Sequence, residues 1–169
     1  MLLCACGPAG LLIIDVSNPS APVLAGTYKD GANFIRGVDA SGSNAFVASS
    51  LKEGSSRLQI LDLTTPSHPT LVASLDTPGV AQDVSVAGSL AYVTVGPAGM
   101  IIVDVSNPGA PYVCDSYRPY AHGQLIIHFA KVAASDSFVF VDNRDGPKAG
   151  LHILRYSPRQ EMKGSHTCT

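Results

Sequence analysis

The segment Gly7 to Pro22 returns, almost letter for letter, as Gly96 to Pro111. Twelve of the 16 aligned positions are identical, and three of the other four exchange one small or aliphatic residue for another. A third copy runs from Leu58 to Pro69, and a worn fourth from Gly150 to Pro158. Copies of one segment must each find the same surroundings in the folded chain. The repeat therefore constrains the architecture before any local reading does.

Asp15, Asp62 and Asp104 mark the copies, with Arg155 at the equivalent fourth position, and the spacings are 47, 42 and 51 residues. This period fits a four-stranded propeller blade or a helical solenoid repeat. The content of the repeat chooses strands. Leu11 to Ile14 and Met100 to Val103 are short aliphatic runs closed by proline turns, and no long stretch free of Gly and Pro carries a helical period.

Four strands are expected in each complete unit. In the best copy these are Val80 to Val86, Leu90 to Val95, Met100 to Val105 and Tyr112 to Tyr117. The third is an unbroken apolar run, as befits a strand covered on both faces. The preceding unit matches as Ile35 to Ala40, Asn44 to Ser49, Arg57 to Leu63 and Thr70 to Leu75. The last unit gives Phe129 to Ala134, Phe138 to Asp142 and Leu151 to Tyr156. The expected fold class is all-β, a β-propeller of about four blades. Its units are about 1–28 (partial), 33–75, 80–117 and 125–158 (partial), followed by a flexible tail over 159–169.

The turns have a physical logic. Asp, Ser and Asn side chains can bond the backbone of the turn that follows them. Pro19, Pro66 and Pro108 fix φ and end the ladder. Gly10, Gly54, Gly88 and Gly99 supply positive φ. The three repeated aspartates are thus turn residues before they are acid–base or calcium ligands, and no calcium-loop pattern accompanies them.

At these residues the chain resembles the LVIVD-repeat family. The motif is written here as Leu12-Ile-Ile-Asp-Val16 and Ile101-Ile-Val-Asp-Val105, each followed by Ser-Asn-Pro. The preceding strands Ala91-Tyr-Val-Thr94 and Ala45-Phe-Val-Ala48 also fit. The resemblance spans residues 7–117 well and 125–158 weakly, and the last unit departs from it at Arg155 and Tyr156. It implies a β-propeller, often on secreted or surface proteins, and thus an extracellular or cell-surface location. It transfers no catalytic residue.

The two partial units supply three strands each, too many for one blade and too few for two. The expectation is a segment of a longer propeller; a four-bladed ring with ragged ends is the alternative. Met1 to Cys6 aligns with a strand and lacks the basic start of a signal peptide.

A chain of 169 residues with 46% hydrophobic and 14% charged residues suits one compact domain. A net charge of −2 without a basic cluster argues against a nucleic-acid partner. No run approaches a membrane span. The four cysteines do not fix the compartment. Cys4 and Cys6 share a strand face, where packing is the expectation and a mutual disulfide is constrained. No metal or cofactor is expected from ligand spacing.

Propellers bind at a channel mouth, where segments leading into the innermost strands converge. Those segments differ between units: Phe34-Ile-Arg-Gly37, Val80-Ala-Gln-Asp83 and His128-Phe-Ala-Lys131. The candidate ligand-binding residues are Arg36, Gln82, Asp83, His128 and Lys131, with His122 on the loop before the last unit. A His122, His128 and His152 metal triad lacks a recognised spacing, and His152 reads as a packed imidazole. Gly-x-Ser-x-Gly and phosphate-loop patterns are absent. Two functions fit: a non-enzymatic module binding an unknown protein or small molecule, or a segment of a propeller hydrolase or lyase whose catalytic groups lie partly elsewhere. Self-association through open sheet edges is a further expectation.

Overall fold

The structure, a computed structural model, describes residues 1–29, 34–50, 55–118, 120–121, 124–125, 128–144 and 149–155. No helix occurs among them. The strands form four antiparallel sheets of three, four, four and three strands, and one small hairpin. The first sheet holds β1 (Leu2–Ala5), β2 (Leu11–Asp15) and β3 (Val23–Tyr28). The second holds β4 (Phe34–Ser41), β5 (Asn44–Ser50), β6 (Ser56–Asp62) and β7 (Thr70–Asp76). The third holds β8 (Asp83–Ala87), β9 (Leu90–Thr94), β10 (Met100–Asp104) and β11 (Tyr112–Tyr117). The hairpin is β12 (Tyr120–Ala121) and β13 (Gln124–Leu125). The fourth sheet holds β14 (Phe129–Ala134), β15 (Val139–Asn143) and β16 (Gly150–Leu154).

Every sheet is a meander in chain order, as the repeat predicts. The sequence reading missed the β12–β13 hairpin and misplaced some ends. β8 begins at Asp83 rather than Val80, because the Gln82 N–H reaches Thr94 O while Asp83 is already opposite Thr94. β15 begins at Val139, because Phe138 spends its N–H and C=O on Ser135 in the turn. The expected tail over 159–169 lies outside the described residues.

The described turns behave as the sequence suggests, while Gly54 lies outside the described residues. The carboxylates of Asp15, Asp62 and Asp104 each accept the N–H two residues on, from Ser17, Thr64 and Ser106 at 2.8, 2.8 and 3.0 Å. Gly10 and Gly99 have φ of 96° and 92°. A β-carbon there would also lie 2.4 Å from the carbonyl oxygens of Tyr28 and Tyr117, so the position is closed to other residues twice over. Each β-bulge between third and fourth strands falls at one repeat position: Ile13/Ile14, Ile60/Leu61 and Ile102/Val103.

The core lies between the sheets, and strand alternation distributes it. Ile101, Val103 and Val105 face the second sheet and pack with Phe46, Leu58 and Ile60. Met100 and Ile102 face the fourth sheet and pack with Phe129, Val132, Val139 and Val141. Leu11 and Ile13 of the first sheet pack with Val47, Leu61 and Leu63 of the second. This is why the third strand of a central unit reads as one apolar run: its odd and even residues serve two different cores. No described residue packs on the outward face of the fourth sheet in this way, and Leu151 and Ile153 are 65% and 60% exposed.

Innermost strands of successive sheets are stitched together by side chains. Asp39 Oδ2 accepts the Val86 N–H at 2.7 Å and the Ser85 hydroxyl at 3.2 Å. Ser85, in turn, accepts the Ala134 N–H at 3.0 Å. The same job thus passes from Asp39 on β4 to Ser85 on β8, one sheet further along. These bonds fix the inner ends of the sheets relative to one another.

Candidate functional site

The inner strands of the second and fourth sheets each carry an irregularity, whereas β8 of the third sheet pairs in continuous register. On β4 the register slips between Ile35 and Gly37, so Arg36 is the extra residue of a bulge. On β14 it slips between Phe129 and Val132, around Ala130 and Lys131. Bulges re-aim side chains and leave backbone groups without ladder partners. Asp142 on β15 compensates for this in the fourth sheet. Its Oδ1 accepts the Ala130 N–H at 3.0 Å and also a short bond from the Lys131 N–H.

The re-aimed residues meet around one cavity of about 440 Å³. The first sheet contributes Ala5, Cys6, Gly7 and Pro8, the second Phe34, Ile35 and Arg36, the third Gln82, and the fourth Ala130, Lys131 and Arg144. Isolated bridges from Gly7 to Ile35 and from Gly96 to Phe129 hold adjacent sheets together at this level. A smaller cavity of about 340 Å³ lies further out, over Tyr92, Met100 and Ile102 and beside Leu154 and Arg155.

Of the residues that the sequence singles out, Arg36, Gln82 and Lys131 line the 440 Å³ cavity. Asp83 sits just behind it and meets Lys131 Nζ at 3.4 Å. Its Oδ2 also accepts the Val132 N–H at 3.3 Å. Burial pushes the Asp83 carboxyl above the ordinary value of 3.8, and Lys131 and the neighbouring N–H groups offset only part of that push. His128 stands at the rim rather than in the wall. A β-carbon on Gly96 would meet its Nε2 at 3.6 Å and the Gln82 amide nitrogen at 3.9 Å. His128 is tied at its backbone, its N–H bonding Asn143 Oδ1 at 3.0 Å. His122 lies outside the described residues. His152 packs edge-on against Phe129, with ring centroids 5.6 Å apart. Among the described residues no group of three His, Cys, Asp or Glu could hold a metal ion.

Arg36 is held by two neutral contacts. Its Nε donates to Ser50 Oγ at 3.1 Å, and its guanidinium carbon lies 5.0 Å from the centroid of the Phe34 ring. Arg144 donates from Nε to Asp142 Oδ2 at 3.0 Å. The Asp142 carboxyl is pushed up by partial burial, but the Lys131 N–H, Arg144 and the Ala130 N–H bring it below the ordinary value on balance. Cys6 Sγ donates to Cys4 Sγ at 3.0 Å, and both remain thiols. That bond, then desolvation, raises the Cys6 thiol above its ordinary value of 9.0.

The sequence reading missed Arg144. It follows the second strand of its unit, where the first and third units have Gly7 and Gly96 and the second has Ser50. A charged residue at a position otherwise held by small ones was the available signal.

No curated protein matches the chain. The model of the LVIVD repeat matches it three times, over residues 4–30, 35–77 and 78–118, each match covering one of the first three sheets. The chain therefore belongs to the LVIVD-repeat family.

Proposed function

We propose that this protein is a non-enzymatic binding module whose four sheets are β-propeller blades and whose ligand sits where their inner strands meet. One observation carries this reading. Residues from all four sheets converge on a single cavity, with charged and amide groups beside an apolar wall of Ala5, Pro8 and Phe34. Concave sites with a few convergent polar groups are the usual seat of binding. The rest of each repeat is occupied by turn and core duties, which leaves the mouth as the place where the units differ. As the family resemblance implies, we place the module on a secreted or cell-surface protein.

Backbone-resolved NMR of the full chain, titrated with a small-molecule fragment set, tests the reading. Ligands should perturb resonances of Gly7, Arg36, Gln82, Lys131 and Arg144 together. A set that perturbs only scattered outer loops, or nothing, would remove the mouth as the binding site.

A further inference from the structure

The mouth described above differs in charge from the molecule as a whole. The chain carries a formal charge of −2. Yet the cavity wall presents three cations, Arg36, Lys131 and Arg144, each from a different element. Two carboxylates, Asp83 and Asp142, stand beside them. Both are already committed: Asp83 to Lys131 and the Val132 N–H, and Asp142 to Arg144 and two backbone N–H groups. They hold the lysine and the second arginine in place.

Arg36 is left over in this balance. Among the described residues it has no carboxylate partner; its contacts are the Ser50 hydroxyl and the Phe34 ring. Those contacts use Nε and one guanidinium face. The terminal nitrogens remain for a ligand, and a guanidinium offers a planar pair of donors that matches a carboxylate. The rotamer is fixed in advance, so little ordering cost is left for binding. Phe34 is partly exposed beside it, and with Pro8 and Ala5 it forms an apolar wall.

Resting on the reading of the mouth as the binding site, we propose that its ligand is a small organic carboxylate. The carboxylate sits on the Arg36 fork within reach of Lys131 and Arg144, and the apolar body lies along Phe34 and Pro8. Gln82 supplies a neutral amide for a further polar group. The class is set by the uncompensated guanidinium and by the apolar wall next to it.

Benzoate, benzamide and inorganic phosphate serve as probes, titrated into the full chain and followed by NMR, with affinities compared at low and high salt. Benzoate should bind saturably at the mouth, at least about tenfold more tightly than neutral benzamide, and more weakly as salt rises. Arg36→Gln should erase the preference for benzoate over benzamide. Arg144→Gln should reduce it, and gives a second reading should Arg36→Gln fold poorly. Equal binding of benzoate and benzamide at the mouth would overturn the carboxylate assignment while leaving the mouth as a binding site. Phosphate binding there more tightly than benzoate would overturn it in favour of an inorganic oxyanion. No perturbation of mouth resonances by any of the three probes would overturn it too. The broader fragment set then decides separately whether the mouth binds at all.

Discussion

A β-carbon placed on Gly37 would lie 2.3 Å from Oδ1 of Asp83 and 2.7 Å from its Cα. The two residues occupy corresponding places on neighbouring inner strands, β4 and β8. The absence of a side chain on the first is what admits the second. Asp83 then reaches across to Val132 on β14, so one missing side chain sets the spacing of three consecutive sheets.

Gly37→Ala is therefore expected to destabilise the protein by about 1–3 kcal/mol, since the clash is with backbone as well as a carboxylate. Urea unfolding measures it. A variant as stable as the parent would show that the inner strands can separate freely.

The alternating core predicts a contrast within one residue type. Ile60 and Ile102 are 0% and 4% exposed, at equivalent places in their units, while Ile153 is 60% exposed. Ile60→Ala and Ile102→Ala should each cost about 2–5 kcal/mol. Ile153→Ala should stay within about 0.5 kcal/mol. Similar losses at all three sites in chemical denaturation would contradict the assignment of faces.

Asp83 and Asp142 should respond to acid in opposite senses. The folded-state value of Asp83 is raised, so between 3.8 and that value the folded chain holds more proton than the unfolded one. Its contribution to stability accordingly falls as pH rises through that window. Asp142 is lowered, so its contribution is present above 3.8 and is lost as pH falls through the folded value. The stability of the parent minus that of Asp83→Asn should decline as pH is raised from just below 3.8. The corresponding difference for Asp142→Asn should grow over the acid range up to 3.8. Differences that run the same way in thermal melts at several pH values would be inconsistent with the two environments.

The open face of the fourth sheet carries Leu151 and Ile153, and the first sheet exposes Leu2 and Leu24, which share one cross-strand row with Ile14. Exposed apolar sheet faces associate, and a net charge of −2 offers little repulsion. Sedimentation velocity should show association that increases with concentration, and Leu151→Glu with Ile153→Glu should suppress it. A single monomeric species at high concentration in the parent would show that these faces do not pair.

Much of the fold was legible because the repeat states it more than once. Asp15, Asp62 and Asp104 recur at one position, and each caps the same turn. His152 read as a packed imidazole and lies against Phe129. The lining of the 440 Å³ cavity was legible only in part. Arg36, Gln82 and Lys131 were found by comparing the segments before first strands. Arg144 was missed because it leaves a second strand, and nothing local says that the two kinds of segment meet.

The sequence by itself determined that strands would form, where they would turn, and which face of each would be apolar. Those properties depend on neighbours a few residues apart, and periodicity records them directly. Only the tertiary structure decided that, among the described residues, Arg36 lacks a carboxylate while Lys131 and Arg144 have one each. That outcome depends on bulges that re-aim single side chains, and on sheet-to-sheet contacts such as Gly37 with Asp83. Lys131 and Asp83 come from different repeats, so no spacing along the chain encodes that those two charges will meet.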